Sequence, residues 1–165
     1  MGFFKEIFPE AKFVHVIRDG RAVANSLLQM EWWTGYLGPN QWNLGPLQEK
    51  DRREFEAHDE CFVVLAGLVW KSFIESIEAD ADRLHSSDLL TIQYEDFLRE
   101  PVTHCERIAE FGDLVVDEDF SKRLRRTKVS ASRADAFRKD LRPEQLAQLE
   151  VVIGSELRRF GYLPS

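Results

Sequence analysis

At 165 residues, 44% of them apolar with twelve Phe and four Trp, the chain can fill one sizeable hydrophobic core. Its formal net charge of −7 excludes a general nucleic-acid or membrane-surface binder, because both partners are themselves anionic. Cys61 and Cys105 lie far apart without CxxC or Cys/His spacing, which points to reduced thiols and against a disulfide framework or a zinc site. The apolar run from Cys61 to Trp70 is about half of the ~20 residues a membrane-crossing helix needs. The N-terminal stretch carries no signal-peptide core. These features read as a cytoplasmic protein without a membrane or metal partner.

In chain order, Lys12 to Ile17 (KFVHVI) follows Pro9 and predicts a buried strand of the parallel-sheet type. Arg18-Asp19-Gly20-Arg21 makes a tight turn, and Ala22 to Met30 has helical character, together half of a βαβ unit. Glu31 to Gln48 is rich in rings (Trp32, Trp33, Tyr36, Trp42) and broken by Gly35, Gly38, Pro39, Gly45 and Pro46. Those rings suit either a wall for an acceptor or a cap over the core. Lys50 to Leu84 predicts a long helix, continuous or broken, with Phe55, Phe62, Leu65, Val69, Phe73 and Ile77 near helical spacing.

Leu89 to Tyr94 (LLTIQY) predicts a second strand, and helical pieces follow at Glu95 to Leu98 and Val102 to Phe111, separated by Pro101. Asp117 to Arg126 reads as a short helix and Thr127 to Lys139 as a polar loop. Pro143 opens a last amphipathic helix that runs to Arg159 and is ended by Gly161. Without repeats or an internal linker, one α/β domain over residues 1–165 is expected.

Charge is spread unevenly. Nine Lys or Arg fall between Lys122 and Arg142, against only Asp135 and Asp140. Such a segment in an acidic protein is either a solvated helix face or a site for a small anion. Ligands of open parallel sheets bind outside the carboxyl ends of strands, which is where Arg18 stands. Ser26 lies two turns into the following helix, roughly 10 Å along its axis. Both can meet one phosphate only if it lies along the helix flank. The same letters also suit an ordinary strand-turn-helix corner with a solvated Arg.

The run FPEAKFVHVIRDGRAVANSLL resembles the 3′-phosphate-binding segment of PAPS-dependent sulfotransferases, with wording similar to bacterial and tyrosylprotein members. The resemblance implies that Arg18 and Ser26 grip the 3′-phosphate of PAPS or of its product 3′,5′-ADP. QYEDFLREP resembles the family's Tyr-Glu-Asp segment and implies an adenosine contact for Tyr94, with Glu95 and Asp96 as helix-start carboxylates. SRADAFRKDLRPEQLAQLEVVIGSELRRFGY is similar to the family's C-terminal pattern, in which a basic loop closes over the nucleotide. That implies Arg133 and Arg138 as closing residues, with Phe137 where the family often has a Trp. The three matches run from about Phe8 to Tyr162. They imply a P-loop NTPase-like parallel sheet flanked by helices, and transfer of a sulfuryl group to a hydroxyl or amine acceptor.

The family's phosphate loop, of the Pro-Lys-x-Gly-Thr-Thr kind, does not occur in this sequence. The chain therefore reads as the C-terminal portion of such a domain, lacking the first strand and that loop. An inactive nucleotide-binding or interaction fragment of the same fold is the alternative reading. No Walker-type loop supports a small kinase. His15, His58, His85 and His104 have no partner spacing, and no catalytic base is assigned. A sheet without its first strand would expose backbone and an apolar flank, so self-association is expected.

Overall fold

The computed structural model describes residues 1–33, 47–126 and 134–164. The protein is α/β, with a small parallel sheet among helices, and it divides into two compact units.

The first unit comprises Met1–Arg18 and Ser76–Arg133. Its strands β1 (Phe13–Ile17) and β2 (Leu89–Gln93) pair in parallel, with Phe13 opposite Leu89 and Ile17 opposite Gln93. Parallel pairing puts the carboxyl ends of both strands at one edge, which a hairpin cannot do. β1 differs from the fully buried strand that its apolar letters predict. Phe13, His15 and Ile17 turn inward, whereas Val14 and Val16 are 40% and 51% exposed. Alternate side chains of a strand leave on opposite faces, and here one face alone is covered.

Helix α1 (Gly2–Ile7) is held by its polar atoms. The Met1 amine and the Gly2 N–H both reach Asp80, and Lys5 pairs with Asp88 at 2.9 Å. Its Phe3, Phe4 and Ile7, with Phe8 beyond it, are exposed. After β2, α5 (Tyr94–Arg99) packs on the strand it follows, and Pro101, read as a separator, is instead the first residue of α6 (Pro101–Phe111). α7 (Glu118–Arg126) packs on α6 and carries acids in its first turn and Arg123, Arg125 and Arg126 in its last, as the helix dipole favours.

The second unit comprises Asp19–Glu75 and Ala134–Ser165. The helix predicted over 50–84 is two helices, α3 (Glu49–Ala57) and α4 (Phe62–Ala81). Asp59 and Glu60 between them take left-handed backbone, φ 53° and 51°, which no α-helix can contain. Every residue of α4 from Val63 to Trp70 is buried. Leu149, Ile153 and Leu157 of α9 (Pro143–Arg159) are likewise buried in full, at i, i+4 and i+8. α2 (Gly20–Leu27) packs against α9, and its first residue must be Gly. A Cβ there would stand 2.7 Å from Trp70 Cε3 and 2.9 Å from Ile153 Cδ1.

The predicted loop over 127–139 also needs correction in its described part, because α8 (Phe137–Asp140) forms there with Phe137 wholly buried. An apolar ring that finds a core site orders the polar residues around it. α9 ends in a Schellman motif. Gly161 takes φ +77°, its N–H donates to Arg158 O at 3.0 Å, and the Tyr162 N–H donates to Leu157 O at 2.7 Å.

Among the described residues no helix is long and apolar enough to cross a membrane, and no group of three or more His, Cys, Asp or Glu could hold a metal. Cys61 and Cys105 are free thiols.

Candidate functional site

Two predicted site residues meet in the first unit. Ile17 and Gln93 are register partners, so the residues that follow them, Arg18 and Tyr94, leave the sheet at the same level. Arg18 lies over the Tyr94 ring, its guanidinium carbon 4.9 Å from the centroid. This cation–π contact is worth about 0.5–2 kcal/mol, more as water is excluded. It also fixes the plane of the guanidinium, whose Nε is buried, and a guanidinium's paired Nη donors suit phosphate oxygens. Tyr94, predicted as the end of the strand, is the first residue of α5. The two carboxylates after it, Glu95 and Asp96, occupy that helix's first turn as expected.

The other described candidates lie in the second unit. Ser26 is half-buried on α2, and Arg138 is exposed on α8, a helix that packs against α2. The Arg138 guanidinium carbon stands 5.0 Å from the Phe137 ring centroid, and its Nε is 3.5 Å from Asp135 Oδ1. A long, exposed contact of that kind leaves the fork accessible to an anion. Arg133 falls outside the described residues, as do Tyr36 and Trp42 of the aromatic stretch. Of that stretch, Trp32 is exposed and Trp33 is buried.

The N-terminus of α2 is already occupied. The Asp19 carboxylate accepts from the Arg21 N–H at 2.9 Å and caps the helix. Arg21, the second Arg of the turn, is buried and fully engaged. Its Nε donates to Asp19 at 3.0 Å and its Nη2 to Asp19 at 2.7 Å and to Tyr162 O at 3.0 Å. Its Nη1 donates to Glu150 at 2.6 Å, and the group lies 4.9 Å from the Phe137 ring centroid. Burial alone would lower the Arg21 pKa, but the bonds and charges of Asp19 and Glu150 hold it above its ordinary value. A carboxylate therefore already faces the end of α2, whereas Ser26 stands on its flank.

Sequence reasoning missed a second polar cluster. Asn25, buried beside Ser26, donates to Asp140 of α8 at 2.9 Å, and Gln29 donates to the same oxygen at 3.2 Å. Asn25 and Gln29 are one helical turn apart, and Asp140 is one of two acids in the basic segment. That pattern was visible, but nothing in the letters paired them.

A cavity of about 740 Å³ also opens in the second unit, lined by Leu28, His58, Cys61, Phe62 and Arg142 among others. None of the predicted site residues lines it.

With the strand ends, the capped turn and the polar pins in place, comparison with known proteins gives the class. A sequence model described as Sulfotransferase family matches residues 1–118, and the chain belongs to that family. It is 26% identical over 117 residues to a protein-tyrosine sulfotransferase A of Caenorhabditis elegans. That match covers 70% of this chain and 25% of the relative, so the chain spans about a quarter of the protein it resembles. No solved structure matches significantly.

Proposed function

We propose that this chain binds PAPS and 3′,5′-ADP through their 3′-phosphate, as the nucleotide anchor of a sulfotransferase acting on a hydroxyl or amine acceptor. The observation that carries the reading is Arg18 seated over Tyr94 at the matched ends of two parallel strands. In this reading Arg18 supplies paired donors to the 3′-phosphate and Ser26 adds a hydroxyl from the flank of α2. Tyr94 backs the guanidinium and offers its ring to the adenosine. Arg138 and Arg133 bring further positive charge from the C-terminal segment.

Membership of the sulfotransferase family supports the donor class. PAPS carries the sulfuryl group on its 5′-phosphate: the S–O bond to that phosphate breaks, a bond from sulfur to the acceptor oxygen or nitrogen forms, and the acceptor proton leaves to a base. No residue of this chain is assigned as that base. We place the strands in a P-loop NTPase-like parallel sheet and the protein in the cytoplasm, the latter on its reduced-thiol composition.

The test is calorimetric titration with 3′,5′-ADP against 5′-ADP. Binding that demands the 3′-phosphate, and that Arg18→Ala weakens in a folded protein, supports the reading. Equal binding of both nucleotides, or none, overturns it. The relative's name raises a peptide tyrosine as one acceptor within the hydroxyl class. Sulfate transfer by the 165-residue chain itself would exclude the alternative of an inactive binding fragment.

A further inference from the structure

We propose that Asp140 is a positioning residue for nucleotide binding, acting through Arg138 by fixing α8 on the helix that carries Ser26. The inference rests on the proposed nucleotide reading and assigns a role to a residue which that reading does not use.

Asp140 has the wrong charge for an anion site. Its place among nine basic residues makes sense if its carboxylate holds something other than the ligand. The structure shows what it holds. One oxygen accepts from Asn25 Nδ2 at 2.9 Å and from Gln29 Nε2 at 3.2 Å, and Gln29 also donates to Asn25 Oδ1 at 3.3 Å. Asn25 is 5% exposed, so its amide is set in place by packing before it meets Asp140. Hydrogen bonds to an ionised acceptor are the stronger kind and tie the end of α8 to the middle of α2.

The other end of α8 is fixed by Phe137, whose ring is wholly buried beside Arg21. The four-residue helix is thus held at its first and last residues. Arg138, between them, is the exposed cation in that turn whose guanidinium stacks on the buried ring. Preorganising one long cationic side chain spares the ordering cost that binding would otherwise incur. The pin can be kept while the charge is removed: Asn at 140 retains an acceptor oxygen for Asn25 and Gln29.

The experiment is a double-mutant cycle on the full chain, read by titration with 3′,5′-ADP and 5′-ADP. Asp140→Ala is expected to weaken 3′,5′-ADP about three- to tenfold, with 5′-ADP little changed. Asp140→Asn should bind as well as the parent or better, having lost a repulsive charge. In an Arg138→Ala background Asp140→Ala should cost nothing more. Trypsin cleavage after Arg138 and Lys139 without nucleotide should quicken in Asp140→Ala and not in Asp140→Asn.

Full additivity of the two alanine changes, or undiminished 3′,5′-ADP binding by Asp140→Ala, overturns the proposal while leaving the nucleotide reading intact. Equal loss of both nucleotides would make Asp140 merely structural and overturn it as well. A parent protein that does not prefer 3′,5′-ADP overturns the nucleotide reading and this proposal with it.

Discussion

Arg18 and Tyr94, separated by most of a crossover connection in sequence, meet because the strands before them are in parallel register, Ile17 opposite Gln93. In the structure the tyrosine is a shelf for the guanidinium, and the proposed reading adds a second task, as a surface for the nucleotide. Tyr94→Phe keeps the ring and should leave 3′,5′-ADP affinity within about twofold, whereas Tyr94→Ala should lower it about five- to thirtyfold, equivalent to ~1–2 kcal/mol. Calorimetric titration separates these. Equal effects of the two changes would give the role to the hydroxyl instead of the ring.

Arg21 gives a prediction on stability. Its guanidinium neutralises two carboxylates, Asp19 and Glu150, and also holds the Tyr162 carbonyl. Arg21→Ala leaves Asp19 buried without its counter-charge and should cost about 3–5 kcal/mol in urea unfolding. Arg21→Lys should recover part of that, since one ammonium cannot span the fork's partners. A loss below about 1 kcal/mol for the alanine variant would place the network among surface ion pairs of little consequence.

The pH dependence of stability should carry the signature of His15. Burial at the centre of β1 pushes its imidazole below the ordinary value of about 6.5. As pH falls, the unfolded chain takes up the proton before the folded one. The stability attached to His15 is therefore complete above about pH 6.5 and is lost as pH drops through the lower folded-state pKa. His15→Leu should reduce the fall in urea midpoint between pH 7.5 and pH 5. An unaltered fall would assign the acid sensitivity to other groups.

Self-association is the fourth expectation. Phe3 and Phe4 are 68% and 55% exposed on a helix whose polar atoms face the protein, and Val14 and Val16 are exposed on β1. Replacing Phe4 and Ile7 by Lys leaves the contacts to Asp80 and Asp88 in place. The double variant should sediment as a smaller species than the parent at equal high concentration. A parent that already sediments as a clean monomer would refute the expectation.

Much of the local structure was legible from the letters alone. β-branched runs marked both strands, Pro101 marked the break between two helices, Pro143 marked a helix start, and Gly161 marked the end of α9. These features depend on one residue's own backbone preferences, so a single sequence displays them. The site was legible as candidates: Arg18 and Tyr94 were named by their motifs, and the structure brings them together. Other features were not legible. Val14 and Val16 have the letters of a buried strand, and which face is covered depends on what packs there. Phe137 looked like a ring in a polar loop until a core position received it. The helical stretch over 50–84 was legible as continuous or broken, but the place of its break was not: it falls at Asp59 and Glu60, whose left-handed backbone no propensity scale would assign to two acidic residues.

The sequence by itself determined the family, the strand-turn-helix grammar and the identity of the candidate anion-binding residues, because motif order and backbone preference are local properties. Only the tertiary structure decided which arginine of the RDGR turn stacks half-buried on Tyr94 and which is buried in ion pairs. It also decided that Asp140, one of two acids in a basic segment, holds two amides of another helix. Both outcomes depend on partners more than a hundred residues away, Glu150 and Tyr162 for Arg21 and Asn25 for Asp140. Pairing at that range is selected by packing, and packing is not written in any one stretch of chain.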